Sequence, residues 1–230
     1  MAESSLCCGA PYGLLIGPDA GVGVHDLEVQ GEEFLELSQI QQEIWERVRQ
    51  DLAEEPVASP DHSMRVAGWA ARIGKDAGAD IRGLVTAALL HDIGAVIDRE
   101  RHYLEGRQRA EEILAEVGYP EDRRSAALHI LESHSRYGGP PPLTTEAKIG
   151  RDADALEWSG AIGLVRSIVR GVAEGNFSGH LEDLPAYLKG EIEKVEGTFH
   201  TEQAEALGQG RIAYMRSFLE RIRQELDFEA

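Results

Sequence analysis

The sequence predicts an all-α fold, a single bundle-like domain, on three observations. From Phe34 onward apolar residues recur at helical spacing almost everywhere, strand-like alternation is scarce, and Gly or Pro punctuates the periodic stretches. No internal repeat suggests a solenoid or a propeller.

Ile40, Ile44, Val48 and Leu52 stand at four-residue steps and form the apolar stripe of a first helix, which Pro56 and Pro60 close. A second helix starts at about Pro60, with Pro and Asp where helix N-termini prefer them, carries Val66, Ala70 and Ile73 on one face and ends at Gly78. The third, over 80–91, has Ile81, Leu84, Val85 and Ala88 on one face and Leu89 and Leu90 on another, so it is apolar nearly all round and should be central. Helical spacing continues over 106–117, turns at Gly118-Tyr119-Pro120 and resumes over 121–133. Residues 135–143 read as a loop, because Gly138-Gly139 and the run Pro140-Pro141-Pro142 forbid helix. Thr144 or Thr145 caps one long helix expected over 146–172, broken by Glu174-Gly175-Asn176. Amphipathic helices over 181–195 and 201–226 follow, the last with Ile212, Met215, Phe218, Leu219 and Ile222 facing inward.

The chain of 230 residues is long enough for one ample core. Residues 1–34, Gly-rich and ending in the acidic Glu28, Glu32 and Glu33, read as a loosely ordered lead-in, and residues 35–230 as the domain. The first residues lack the Lys or Arg of a signal n-region, and no apolar run approaches the roughly 20 residues of a membrane span, so the expected compartment is the cytoplasm, without membrane insertion. Cys7 and Cys8 are adjacent and fit neither a disulfide framework nor a structural zinc site. A formal charge of -18 argues against a nucleic-acid groove, which needs clustered Lys and Arg. A small anionic substrate still fits such a chain, provided that a metal or a few arginines supply a local cationic centre.

The chemistry concentrates at His91-Asp92, which ends the apolar run Leu84-Val85-Thr86-Ala87-Ala88-Leu89-Leu90. Burying that run carries an imidazole and a carboxylate toward the interior, and a divalent metal is the natural partner for the pair. His62 on the second helix and Asp152 or Asp154 on the long sixth helix offer further ligands beside apolar neighbours. Two imidazoles and two carboxylates suit Mn, Fe, Co, Ni or Zn, with Mg as a further candidate, and leave coordination positions for water and substrate. Asp152 and Asp154 lie about 200° apart on a helix, so only one can face the metal, and helical projection does not choose between them.

The order His62, His91-Asp92 and Asp152-Ala153-Asp154-Ala155-Leu156 resembles the H...HD...D signature of the HD-domain superfamily of metal-dependent phosphohydrolases. Further segments resemble a small single-domain prokaryotic branch of it over about residues 60–225: His62-Ser63-Met64-Arg65-Val66, Ala87-Ala88-Leu89-Leu90-His91-Asp92-Ile93-Gly94, Thr144-Thr145-Glu146-Ala147-Lys148-Ile149 and Gly160-Ala161-Ile162-Gly163. That branch often carries another His-Asp shortly before the first ligand, where this chain has Ala58-Ser59-Pro60-Asp61, and residues before 34 have no counterpart in it.

The resemblance implies an HD-type helical bundle with His62, His91, Asp92 and Asp154 as metal ligands, Asp154 because it matches an Ala-Asp-x-Leu pattern. It also implies hydrolysis of a phosphate ester or phosphoanhydride of a small molecule, a nucleotide being the expected class, by a metal-activated water. His102 and His134 fall between the HD pair and the last Asp, as do the extra ligands of binuclear members, so they are expected to touch substrate or a second metal. Arg65 lies one turn beyond His62 and is expected to meet a bound phosphate. Asp92 would both ligate and orient the water, with Arg65, His102 and His134 as the other catalytic candidates. The rival readings are an HD-type diiron oxygenase, which needs both His102 and His134 as ligands, and a regulator that binds a nucleotide without turning it over. His129, His25, His180, His200 and Lys148 carry no comparable signal, Trp69 and Trp158 read as core, and a homodimer is the default assembly.

Overall fold

The computed structural model describes residues 35–229; the expected lead-in 1–34 lies outside the described residues. Among these, the chain forms nine α-helices, two short 3-10 turns and no strand, as the sequence predicts. The helices are α1 (Gln39–Asp51), α2 (Pro60–Ala77), α3 (Ile81–Leu90), α4 (His102–Glu116), α5 (Glu121–Ser133), α6 (Thr145–Glu157), α7 (Gly160–Ala173), α8 (Leu184–Val195) and α9 (Glu202–Leu226). None is long and apolar enough to cross a membrane.

The apolar run of α3 makes it the axis of the first core. Every residue from Gly83 to Leu90 is buried, with α1, α2, α5 and α6 packed around them. Leu84, Leu89 and Leu90 are at most 1% exposed, and truncating any of them to Ala should cost about 2–5 kcal/mol. A second cluster joins Leu164 of α7, Leu188 and Ile192 of α8 and Met215 and Leu219 of α9. Phe199 packs against both clusters.

Caps set where the site-bearing helices begin. Ser59 accepts from the backbone N of His62 and starts α2 at Pro60, Asp80 accepts from Gly83 N and starts α3, and Thr144 accepts from Ala147 N and starts α6.

Two expected elements differ. The helix expected from 106 begins at His102, because Asp98 Oδ1 accepts from the backbone N of Glu100 and Arg101 and turns the chain early. The long helix expected over 146–172 is two helices that break at Trp158 and Ser159. Arg211 Nη1 donates to Leu156 O at 2.8 Å and the Ser159 hydroxyl donates to the same carbonyl at 2.8 Å, which satisfies the end of α6 from the side. After the break, Val165 faces outward, 62% exposed.

Candidate metal centre

Three histidines are oriented by one local device. His91 Nδ1 meets Ala88 O at 2.7 Å, His102 Nδ1 meets Arg99 O at 2.7 Å, and His134 Nδ1 meets Leu131 O, each three residues back along the chain. A carbonyl only accepts, so each Nδ1 carries a proton and each Nε2 is left to face the centre. His91 and His134 stand at the C-terminal ends of α3 and α5, where free carbonyls are available to hold them.

Those Nε2 atoms converge on carboxylates. His91 Nε2 lies 3.2 Å from His62 Nε2 and 3.2 Å from Asp92 Oδ2. His62 Nε2 lies 3.4 Å from Asp92 Oδ2 and 3.3 Å from Asp154 Oδ1. On the other oxygen of the same carboxylate, Asp92 Oδ1, His102 Nε2 approaches to 3.4 Å and His134 Nε2 to 3.5 Å, with 3.0 Å between the two nitrogens. Donors held about 2.1 Å from one metal at tetrahedral or octahedral angles stand roughly 3.0–3.4 Å apart. The observed spacings fit that donor set. Asp92 thus presents Oδ2 to His62 and His91 and Oδ1 to His102 and His134.

Burial isolates the cluster. His62, His91, His134 and Asp154 are all buried. Burial pushes the Asp92 carboxyl upward, but the charge of His91 and hydrogen bonds from His134, His62 and His91 hold it well below the usual range. Burial likewise opposes ionisation of Asp154, and contact with His62 and the charge of His91 outweigh it. Burial and the nearby Arg166 push His62 down, yet Asp154, Asp92 and Glu157 raise it to about 9.

All six expected ligating or contacting residues on α2, α3–α4, α5 and α6 come together: His62, His91, Asp92, His102, His134 and Asp154. Of the two carboxylates that helical projection left open, Asp154 is the one that lies against His62. Asp152 points the other way and accepts from His200 N, Thr201 N and Thr201 Oγ1 at 2.7–2.8 Å, fastening α6 to the start of α9. Arg65 donates from Nε to Glu157 Oε2 at 2.7 Å instead of standing free before the donors. His129 accepts from Leu143 N, and Lys148 is exposed.

The sequence reading missed two sets of residues. Glu157 is fully buried, accepts from Trp69 Nε1 and Arg65 and lies 3.6 Å from His62 Nδ1, beyond hydrogen-bond reach, so it sets a negative charge beside the outer nitrogen of His62. Its position one helical turn after Asp154 was a usable signal. The second set borders a cleft of about 790 Å³ that reaches Asp92, His102 and Asp154. Arg99, Arg101, Arg136, Arg170 and Lys194 line it with Glu100 and Glu174, and all these cations but Arg136 also pair with carboxylates around the rim. These come from separate segments, and no local pattern predicts their meeting.

Comparison with known proteins agrees with this architecture. The HD domain model matches residues 61–159, a span that contains every donor named above. The Bacillus subtilis protein YpgQ is 27% identical over 170 residues, covering 72% of this chain and 82% of YpgQ. The crystal structure of YpgQ in complex with ADP aligns with a TM-score of 0.66 at 24% identity, over 81% of this chain and 94% of that one. An HD-superfamily hydrolase from Bacillus thuringiensis aligns with a TM-score of 0.63 at 24% identity, over 82% and 96% of the two chains. A donor cluster assembled from α2, α3, α4, α5 and α6 lies wholly within residues 61–159, the segment of this chain that matches the HD domain.

Proposed function

We propose that the protein is a metal-dependent phosphohydrolase that adds water across a phosphate ester or phosphoanhydride bond of a small molecule, with a nucleotide as its substrate class. The observation that carries the reading is a set of converging Nε2 atoms and carboxylates at the floor of an arginine-lined cleft. YpgQ, similar over most of this chain, has been crystallised with ADP, which supports a nucleotide.

His62, His91, Asp92 and Asp154 would hold the metal, and His102 and His134 would complete a second position across Asp92. When bound, a divalent transition metal such as Mn, Fe, Co, Ni or Zn lowers the pKa of a coordinated water and offsets phosphoryl charge. Asp92 orients the attacking water. The cleft cations hold the anionic substrate with its scissile phosphoryl group toward the donors. One water oxygen bonds to phosphorus, the bond from phosphorus to the leaving oxygen breaks, one water proton stays with the phosphate and the other passes to the leaving group. Burial of the donors limits solvent exchange around these groups.

A panel of nucleotides assayed with each metal tests the reading. Release of phosphate or pyrophosphate that stops in chelator supports it, and turnover that persists in chelator overturns it. The meeting of His102 and His134 at Asp92 Oδ1 also satisfies the ligand requirement of a diiron oxygenase. Two tightly held irons with oxygen uptake and no phosphate release would favour that reading, whereas the arginine-lined cleft favours phosphate. A non-catalytic nucleotide regulator would bind ADP and release no product with any metal.

A further inference from the structure

Arg166 on α7 is buried beside the metal centre without a hydrogen bond. Its side chain is 10% exposed, and Nε, Nη1 and Nη2 all lack a hydrogen-bond partner among the described residues. The ion pair from Nη1 to Glu157 Oε2 spans 3.7 Å, too long for a hydrogen bond, and Arg65 already occupies that oxygen at 2.7 Å. The guanidinium instead lies over the Trp158 ring, 4.3 Å from its centroid. Gly163 makes this possible, since a Cβ there would meet the Trp158 carbonyl carbon at 2.3 Å. Glycine lets α7 cross close over Trp158 and sets Arg166, one turn later, on the ring.

The surroundings say what the free donors face. Beyond burial, the charges of Asp154, Glu157 and Asp92, in that order, stabilise the Arg166 cation and that of Arg65 opposes it, so Arg166 lies close to the carboxylates of the candidate centre. Arginine remains protonated even when burial pulls its pKa down, as it does here. Five N–H donors in a planar fork, desolvated and without a hydrogen bond among the described residues, are held only by the 3.7 Å ion pair to Glu157 and the Trp158 ring, and the oxygens of a phosphoryl group match that fork in pairs.

We propose that Arg166 binds the non-bridging oxygens of the phosphoryl group under attack, with Trp158 as the platform that aims it. The proposal rests on the phosphohydrolase reading above and adds to it a catalytic residue that takes no proton. Its fixed charge offsets that of the non-bridging oxygens while the bond to the leaving oxygen breaks.

The test compares manganese-loaded wild type, Arg166→Ala and Arg166→Lys in metal content, binding of inorganic phosphate by calorimetry and hydrolysis of ADP. The expected result is unchanged metal content, at least a tenfold loss of phosphate affinity in both variants, and a kcat for Arg166→Ala lower by about 10²–10³-fold. Added guanidinium should restore part of that rate in Arg166→Ala alone. Arg166→Lys keeps a cation over Trp158, so it remains informative if the Ala variant fails to fold. Phosphate affinity and kcat equal to wild type in metal-loaded variants would overturn the proposal while leaving the hydrolase reading intact. Because phosphate binding is read separately, the Arg166 contact stands or falls on its own even if wild type hydrolyses none of the compounds tried.

Discussion

The Nε2 atoms of His102 and His134 face each other across 3.0 Å while both Nδ1 atoms are engaged by backbone carbonyls. Asp92 Oδ1 stands 3.4–3.5 Å from both, so the two nitrogens and this oxygen are spaced as donors around one cation. His134→Ala should therefore lower metal stoichiometry from two to one per chain, measured by elemental analysis after manganese loading. A wild type that holds only one metal, or a variant that still holds two, would contradict the assignment of this trio.

Proton release should accompany loading. His62 stays protonated up to about 9 in the metal-free protein because Asp154, Asp92 and Glu157 stabilise its charged form over the opposing effects of burial and Arg166. Metal must displace that proton, so apparent affinity should rise about tenfold per pH unit below pH 9 and flatten above it. Calorimetry in buffers of different ionisation enthalpy reads the proton count, expected to be about one at pH 7.5.

Asp152 and Asp154 should respond oppositely to the same change. Asp154→Asn removes a carboxylate from the donor set and should abolish tight metal binding. Asp152→Asn weakens the clasp on His200 and Thr201 and should cost about 1–3 kcal/mol of stability, with metal stoichiometry intact. Urea unfolding and metal analysis of both variants separate the two roles.

Glu157→Gln leaves the shape of the site nearly unchanged but removes the charge beside His62 Nδ1 and the partner of Arg65. Metal affinity should fall about 10–100-fold, the usual effect of losing a carboxylate beside a histidine ligand. Competition against a fluorescent chelator measures it, and an unchanged affinity would show that Glu157 serves only the packing of α2 on α6.

Local patterns carried most of the fold and the inner ligands. The Ser59-Pro60 start of α2 is a local signal, and the unbroken apolar run of α3 led directly to its central position and to His91-Asp92 at its end. Helix spacing alone could not orient Asp152 against Asp154, because that depends on which helix lies on each side of α6: α9 claims Asp152 and α2 faces Asp154. The break after Trp158 depends on Arg211, more than fifty residues away, reaching a carbonyl of α6, and only the Ser159-Gly160 pair hinted at it. His102 was legible by its place in the order, but its reach over Asp92 depends on Gly94. A Cβ there would strike His102 O at 2.2 Å and hold α4 away. The cleft cations were invisible for the same reason: Arg99, Arg136, Arg170 and Lys194 share a wall only after the helices have packed.

The central claim is that one buried cluster of imidazoles and carboxylates holds the metal on which phosphate hydrolysis depends. Phosphate release from ADP and a set of other nucleotides by wild type and His91→Ala, each loaded with manganese and each repeated in excess chelator, tests it most directly. The account predicts turnover by metal-loaded wild type alone. Turnover by His91→Ala at the wild-type rate, or by wild type in chelator, would contradict it.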